Sequence, residues 1–223
     1  MQRVADLEAM RLAVYRQFAT TGRAPSTTEL ADTFGMSPSE VIDGLRRLHD
    51  GRQLVLDDDD RIVLAHPFSS IPLGFAVMGR ATLWWGGCAW DSMAIPHLVA
   101  DEPEVVVSTR CPGCARPHVW VVNRDCPPEG DQVAHFLVPV AHMWDDIVTT
   151  CSHQRLFCSE SCVTSWLRSS GNERGYVMDL ATLWRLAQHW YDGRLTRDYV
   201  RREPEQALRY FRDVGLDGPF WSL

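Results

Sequence analysis

The segment Thr82-Leu83-Trp84-Trp85-Gly86-Gly87-Cys88-Ala89-Trp90-Asp91-Ser92-Met93-Ala94-Ile95-Pro96 is where the reading of this chain begins. An apolar run meets two glycines, which read as a turn, and a short helix then follows until Pro96 ends or kinks it. On that helix Cys88 and Asp91 stand three residues apart and share a face. A cysteine at a helix N-terminus has its thiolate favoured by the helix dipole. An aspartate among Trp and Met side chains is pushed the other way, towards a raised pKa and a retained proton. A thiol beside a proton-carrying acid suits acid–base work on a sulfur-bound substrate. The plainer reading, a buried cysteine beside a helix-capping aspartate, leads narrowly on these residues alone.

Upstream, residues 1–70 read as a small helical module. Val4, Leu7, Met10, Leu12, Val14, Tyr15 and Phe18 recur at helical spacing up to Gly22. Ser26-Thr27-Thr28-Glu29 and Ser37-Pro38-Ser39-Glu40 each have the form of a capping box opening a further helix. Gln53–Leu56, the aspartates 57–60 and Arg61–Leu64 then read as a hairpin with a charged turn. Three helices and a hairpin give a winged helix-turn-helix pattern. DNA binding is nonetheless disfavoured, because this stretch holds eight arginines against eleven carboxylates and the wing tip is acidic. A phosphate-dominated interface needs the opposite sign. A structural or pocket-covering role is the expected one, although Arg46 and Arg47 lie on the would-be recognition helix.

Downstream, residues 71–223 read as a mixed sheet and helix domain. Glu104–Ser108 and Val119–Val122 are strands joined through Cys111-Pro112-Gly113-Cys114, and another strand is expected over Val133–Val138. Asp145-Asp146-Ile147 leads to Cys151-Ser152-His153, and Cys158 and Cys162 precede a helix bearing Val163, Trp166 and Leu167. The CxxC pair Cys111/Cys114 and the CxxxC pair Cys158/Cys162 together supply the four thiolates of a structural zinc site. Packed thiols are the competing reading, and a redox CxxC is disfavoured because no βαβ pattern surrounds it. Cys126, in a Pro-rich loop, gets no role. Pro204–Val214 reads as an amphipathic helix, followed by an apolar tail, Gly218-Pro219-Phe220-Trp221, suited to covering a pocket or to self-association.

Composition narrows the function. The 223 residues are 45% hydrophobic and 23% charged, as in ordinary globular proteins, with a net charge of −7. All 22 basic residues are arginine, which excludes a Schiff-base or Walker lysine. The longest mostly apolar stretch, Ile71–Gly79, is far short of the ~20 residues of a membrane span. Asp6 and Glu8 stand where a signal peptide would be apolar, so the expected location is the cytoplasm, with the seven cysteines reduced.

The order of these features resembles the alkylmercury (organomercurial) lyase family over residues ~1–190. The matching segments are Gly87–Pro96, Ser108-Thr109-Arg110-Cys111, and Thr150-Cys151-Ser152-His153 with Phe157. The resemblance implies an α+β lyase fold and a catalytic set of two cysteines and an aspartate, carried over to Cys88, Cys151 and Asp91. It also implies a structural role for Cys111. Ser152 stands where typical members have another cysteine, and Cys114, Cys158 and Cys162 lie outside the usual pattern. Mercury is soft and prefers thiolate, so Cys88 and Cys151 would bind it while Asp91 relays a proton to the carbon. Trp84, Trp85, Trp90 and Met93 would surround the organic group. The implied partners are an organomercurial or related small molecule and small thiols, and the chemistry needs no cofactor beyond any structural Zn²⁺. Two other readings stand beside this one: the same scaffold acting on another small molecule in biosynthesis, and a metal-responsive helix-turn-helix regulator.

Overall fold

The computed structural model describes residues 6–223, so Val4 lies outside the described residues. Three helices open the chain: α1 (Leu7–Thr21), α2 (Thr27–Phe34) and α3 (Pro38–Asp50). Each starts where its sequence provides a cap. The Asp6 carboxylate accepts from the Ala9 amide, and both expected capping boxes form, at Ser26/Glu29 and Ser37/Glu40. Gly22 and Gly35 end α1 and α2 in the left-handed conformation that glycine adopts without a Cβ penalty.

The hairpin follows as β1 (Val55–Leu56) and β2 (Ile62–Ala65), paired antiparallel. Its acidic tip is occupied internally. Asp60 holds the Arg46 guanidinium in a two-point contact at 2.7 Å, and Arg61 reaches back to Asp57 and Asp59. This hairpin does not end a separate sheet. It continues through β3 (Phe68–Ser69), β4 (Phe75–Met78), β5 (Leu83–Gly86), β6 (Glu104–Arg110) and β7 (Pro117–Asn123) in the spatial order β1-β2-β3-β5-β4-β6-β7. The sheet therefore crosses residue 70 without a break, and one hydrophobic cluster joins α1–α3 to it.

Burial alternates along β6 and β7, as expected for an antiparallel sheet with one covered face. The covered face rests on α4 (Ala89–Leu98), while Val119 and Val121 face outward. A second sheet, in the order β10-β8-β9, is built from β8 (Val133–Phe136), β9 (Gln154–Phe157) and β10 (Tyr176–Asp179). Around it lie α5 (Ile147–Ser152), α6 (Glu160–Ser170) and α7 (Leu180–Gln188), with α7 packed along α4. The molecule is thus α+β.

The last helix, α8 (Pro204–Asp213), buries Ala207 and Phe211. The apolar tail folds back onto it. The Trp221 ring lies 5.1 Å from Phe211, 5.3 Å from Tyr176 and 6.2 Å from Phe136. Such an aromatic knot is worth more than its buried area alone. Trp221→Ala should therefore lower unfolding stability by about 3–5 kcal/mol. Urea titration followed by far-ultraviolet circular dichroism would measure this, and a loss below about 1 kcal/mol would show the tail to be loosely attached.

Candidate active site

Cys88 is the N-cap of α4, and its sulfur accepts from the Asp91 amide at 3.4 Å. This geometry places the thiol and the Asp91 carboxylate on one side of the first turn, as their spacing implies. Gly87 makes the turn feasible, because a Cβ there would sit 2.3 Å from Asp91 Oδ2. At Gly86 a Cβ would sit 2.1 Å from Ser92 Oγ. The two glycines serve close approach, with Gly86 forming the last residue of β5.

Cys151 arrives from the opposite direction, in the last turn of α5. Cys151 and Cys88 are both buried and line the same cavity. His66 Nε2 lies 3.3 Å from Cys151 Sγ, and the ligand atoms of His66, Asp91 and Cys151 all fall within 4.8 Å of one another. Gln154 Oε1 accepts from the Cys88 thiol at 2.9 Å.

The Asp91 carboxylate is 1% exposed and asymmetrically held. Oδ1 accepts a short hydrogen bond from the Tyr191 hydroxyl, whereas Oδ2 has no partner among the described residues. Behind Tyr191, the buried Arg194 guanidinium sits 4.8 Å from the tyrosine ring centre and donates to the Tyr15 hydroxyl at 2.7 Å and the His66 carbonyl at 3.1 Å. Residues from the β2–β3 link, α4, α5, β9 and the segment after α7 thus converge on a cavity of about 400 Å³.

The two thiols differ electrostatically. Burial pushes the Cys88 thiol well above its ordinary pKa, reinforced by the neighbouring Cys151 and the Asp91 charge. The dipole-stabilised thiolate expected at Cys88 is therefore outweighed. Cys151 is lowered by the Cys88 hydrogen bond, with burial opposing and His66 assisting. Burial alone would lower the His66 pKa, but the facing Asp91 and Cys151 turn the net shift upward. The two thiols are thus shifted in opposite directions.

The expected aromatic surround is corrected at three positions. Of the four residues named from the sequence, only Trp90 lines the cavity. Trp84 is core, its indole N–H donating to the Phe18 carbonyl at 2.8 Å, Met93 is core, and Trp85 lies on the solvent side of β5. Trp144 and Trp190 take their places. At the far end of β9, Cys111, Cys114, Cys158 and Cys162 also converge, with their sulfurs within 4.8 Å of one another, and none of them lines the cavity. Cys126 is exposed and stands apart.

A family model described as alkylmercury lyase (MerB) matches residues 68–192, more than half of the chain. The chain belongs to the alkylmercury lyase family. It is by membership a carbon–mercury lyase, and the match spans Cys88, Asp91 and Cys151. The crystal structure of the mercury-bound form of MerB2 shares the lyase fold, with a TM-score of 0.63 and 19% identity over 86% of this chain and 95% of that one. No curated protein matches the sequence.

Three members of the lyase's cavity escaped the sequence reading. His66 sits in Ala65-His66-Pro67-Phe68, where a lone imidazole in an apolar run was the available signal. Tyr191 lies on a turn after α7, and Gln154 opens β9, where neither residue type announces a role. Their placement at the cavity comes from long-range packing.

His66→Gln should raise the pKa of Cys151, because it removes the partner that favours the thiolate. Thiolate ultraviolet absorbance of a Cys88→Ser background, titrated with and without His66→Gln, should show the ionisation moving to higher pH. An unchanged titration would remove His66 from the thiol's environment.

Proposed function

We propose that this lyase cleaves carbon–mercury bonds by protonolysis, with Cys151 as the first thiolate, Cys88 as the second sulfur and Asp91 as the proton relay. The observation that carries the reading is that two buried thiols of opposite tendency and a buried carboxylate, whose Oδ2 has no partner among the described residues, line one cavity.

An organomercurial enters as its thiol adduct, R–Hg–SR′. The Cys151 thiolate displaces the carrier thiolate and forms R–Hg–S(Cys151), because soft mercury exchanges readily among sulfur ligands. His66 holds the proton that Cys151 gives up. Cys88 then binds as the second sulfur, and its proton passes to Asp91 Oδ2. Two sulfur ligands raise electron density on the carbon, which takes the proton from Asp91. The balanced step is R–Hg–S(Cys151) + HS–Cys88 → R–H + (Cys88)S–Hg–S(Cys151). External small thiols then remove the mercury(II). No cofactor takes part.

Tyr191 keeps the carboxylate oriented, and its bond to Oδ1 leaves only Oδ2 for the relay. Trp90, Trp144 and Trp190 supply an apolar wall for the organic group. Residues 1–70 are proposed to form a winged helix-turn-helix that acts as a structural cover of the catalytic part, 71–223. The internal pairing of Arg46 with Asp60 and the Tyr15–Arg194–His66 chain support that role over nucleic-acid binding. Among the described residues no helix is long and apolar enough to cross a membrane. A reducing cytoplasm suits seven free thiols.

Phenylmercury incubated with the protein and excess small thiol should release benzene, measured by gas chromatography. Cys88→Ser and Cys151→Ser should abolish release, and Asp91→Ala should slow it by about 100-fold or more, the usual scale for losing a positioned acid. The rate of the unaltered protein should rise with pH as Cys151 ionises, at a lower pH than an ordinary thiol requires. Benzene release that survives Asp91→Ala at full rate would sink the relay.

A further inference from the structure

The second cysteine cluster lies outside the catalytic cavity, and its chemistry is separate from the carbon–mercury reading. Cys111 and Cys114 flank the turn between β6 and β7, Cys158 follows β9 directly, and Cys162 sits in the first turn of α6. We propose that these four thiolates hold a resident Zn²⁺, with His118 as an outer donor to Cys158, and that the metal clamps the β6–β7 turn onto the β9–α6 junction.

The geometry is that of a metal knuckle. Zinc with bonds of ~2.3 Å to four sulfurs in a tetrahedron sets its sulfurs ~3.8 Å apart. Here all four sulfurs lie within 4.8 Å of one another, with Cys114 and Cys158 at 3.3 Å. The turn is folded around that point. The Ala115 amide donates to the Cys111 carbonyl at 2.8 Å, the Cys111 amide donates to the Arg116 carbonyl at 2.9 Å, and Ala115 adopts a φ of 60°. A Cβ on Gly113 would sit 2.3 Å from the Cys162 carbonyl oxygen, so only glycine lets the turn approach α6 this closely.

Donors already point at the sulfurs. The Cys158 amide reaches Cys111 Sγ at 3.5 Å, and His118 Nε2 lies 3.2 Å from Cys158 Sγ. The His118 ring is fixed by stacking on Trp120 at 5.2 Å. N–H donors of this kind orient thiolate ligands and offset their charge. Simple packing does not account for the cluster, because Cys114 is exposed and Cys158 and Cys162 are only partly buried. The apolar core beneath them is small, with Cys111, Phe157 and Val163 as its buried members. A disulfide would use two of the four sulfurs and leave the other two without a reason to converge.

Binding is written Zn²⁺ + 4 Cys–SH → [Zn(S–Cys)₄]²⁻ + 4 H⁺, with no change of oxidation state. The clamp acts on the reaction centre through β9. Gln154, which contacts Cys88, opens this strand, and Cys158 follows its end. The metal fixes one end of a four-residue strand whose other end adjoins Cys151.

The full-length protein, purified under reducing conditions from zinc-supplemented medium, should contain about one zinc per chain by elemental analysis. Zinc-edge X-ray absorption should give four sulfur neighbours. Cobalt(II) exchange should give the thiolate-to-metal charge transfer and intense ligand-field bands of a tetrathiolate. Cys114→Ser and Cys158→Ser should lose the metal, whereas Cys88→Ser and Cys151→Ser should retain it. His118→Gln should keep zinc but yield it to a chelator about 10–100-fold more readily. Cobalt spectra need only the unaltered chain, so they test the site even where a cysteine variant fails to fold. A folded, reduced protein that holds no zinc and gives no tetrathiolate cobalt spectrum overturns the proposal. Metal that departs with Cys88→Ser and stays with Cys158→Ser overturns it equally.

Discussion

Burying a carboxylate with only one of its oxygens paired is the constraint around which this protein is organised. Leaving a buried acceptor unsatisfied costs about 1–3 kcal/mol, more when it is charged. Asp91 Oδ2 has no partner among the described residues, and Asp91 lines the cavity. Tyr191 secures the other oxygen, Gly87 leaves room beside Oδ2, and α4 is capped by the Cys88 thiol.

The surrounding packing is non-local. Arg194 is buried without a carboxylate partner among the described residues and is held instead by two tyrosine hydroxyls and the His66 carbonyl. Arg11, also buried, donates to the carbonyls of Arg194 and Thr196 while pairing with Glu8. A buried cation is tolerable when its hydrogen bonds are met, and removing one partner is far costlier than the net worth of the set. The two arginines therefore tie the first helix to the polypeptide following α7 and, through it, to the tyrosine that orients the acid.

The sequence was most informative where structure is local. Both Ser/Glu capping boxes, the glycine stops of α1 and α2, the hairpin around the four aspartates and the cysteine at the start of α4 all rest on contacts within a few residues, and all appear as read. Convergence of Cys88 with Cys151 was legible only through family resemblance, since 63 residues separate them. Which tryptophans face the cavity was not legible. Trp84 and Trp85 alternate across a strand, whereas Trp144 and Trp190 arrive from loops whose path depends on the whole fold. The Cys88 thiol is a related case: a helix dipole is a local quantity, while the burial by distant chain segments that pushes this thiol up is not.

The chain from Tyr15 through Arg194 to the His66 carbonyl has a consequence for how such a protein can change over evolutionary time. Because the front helices help to hold the very residue that faces a reactive sulfur, the leading third cannot be traded for that of a distant cousin as a free-standing cassette. A chimera joined near residue 70 would deprive the Arg194 guanidinium of its Tyr15 acceptor, and so recombination at that seam is expected to be barren unless Tyr15 and Arg194 travel together.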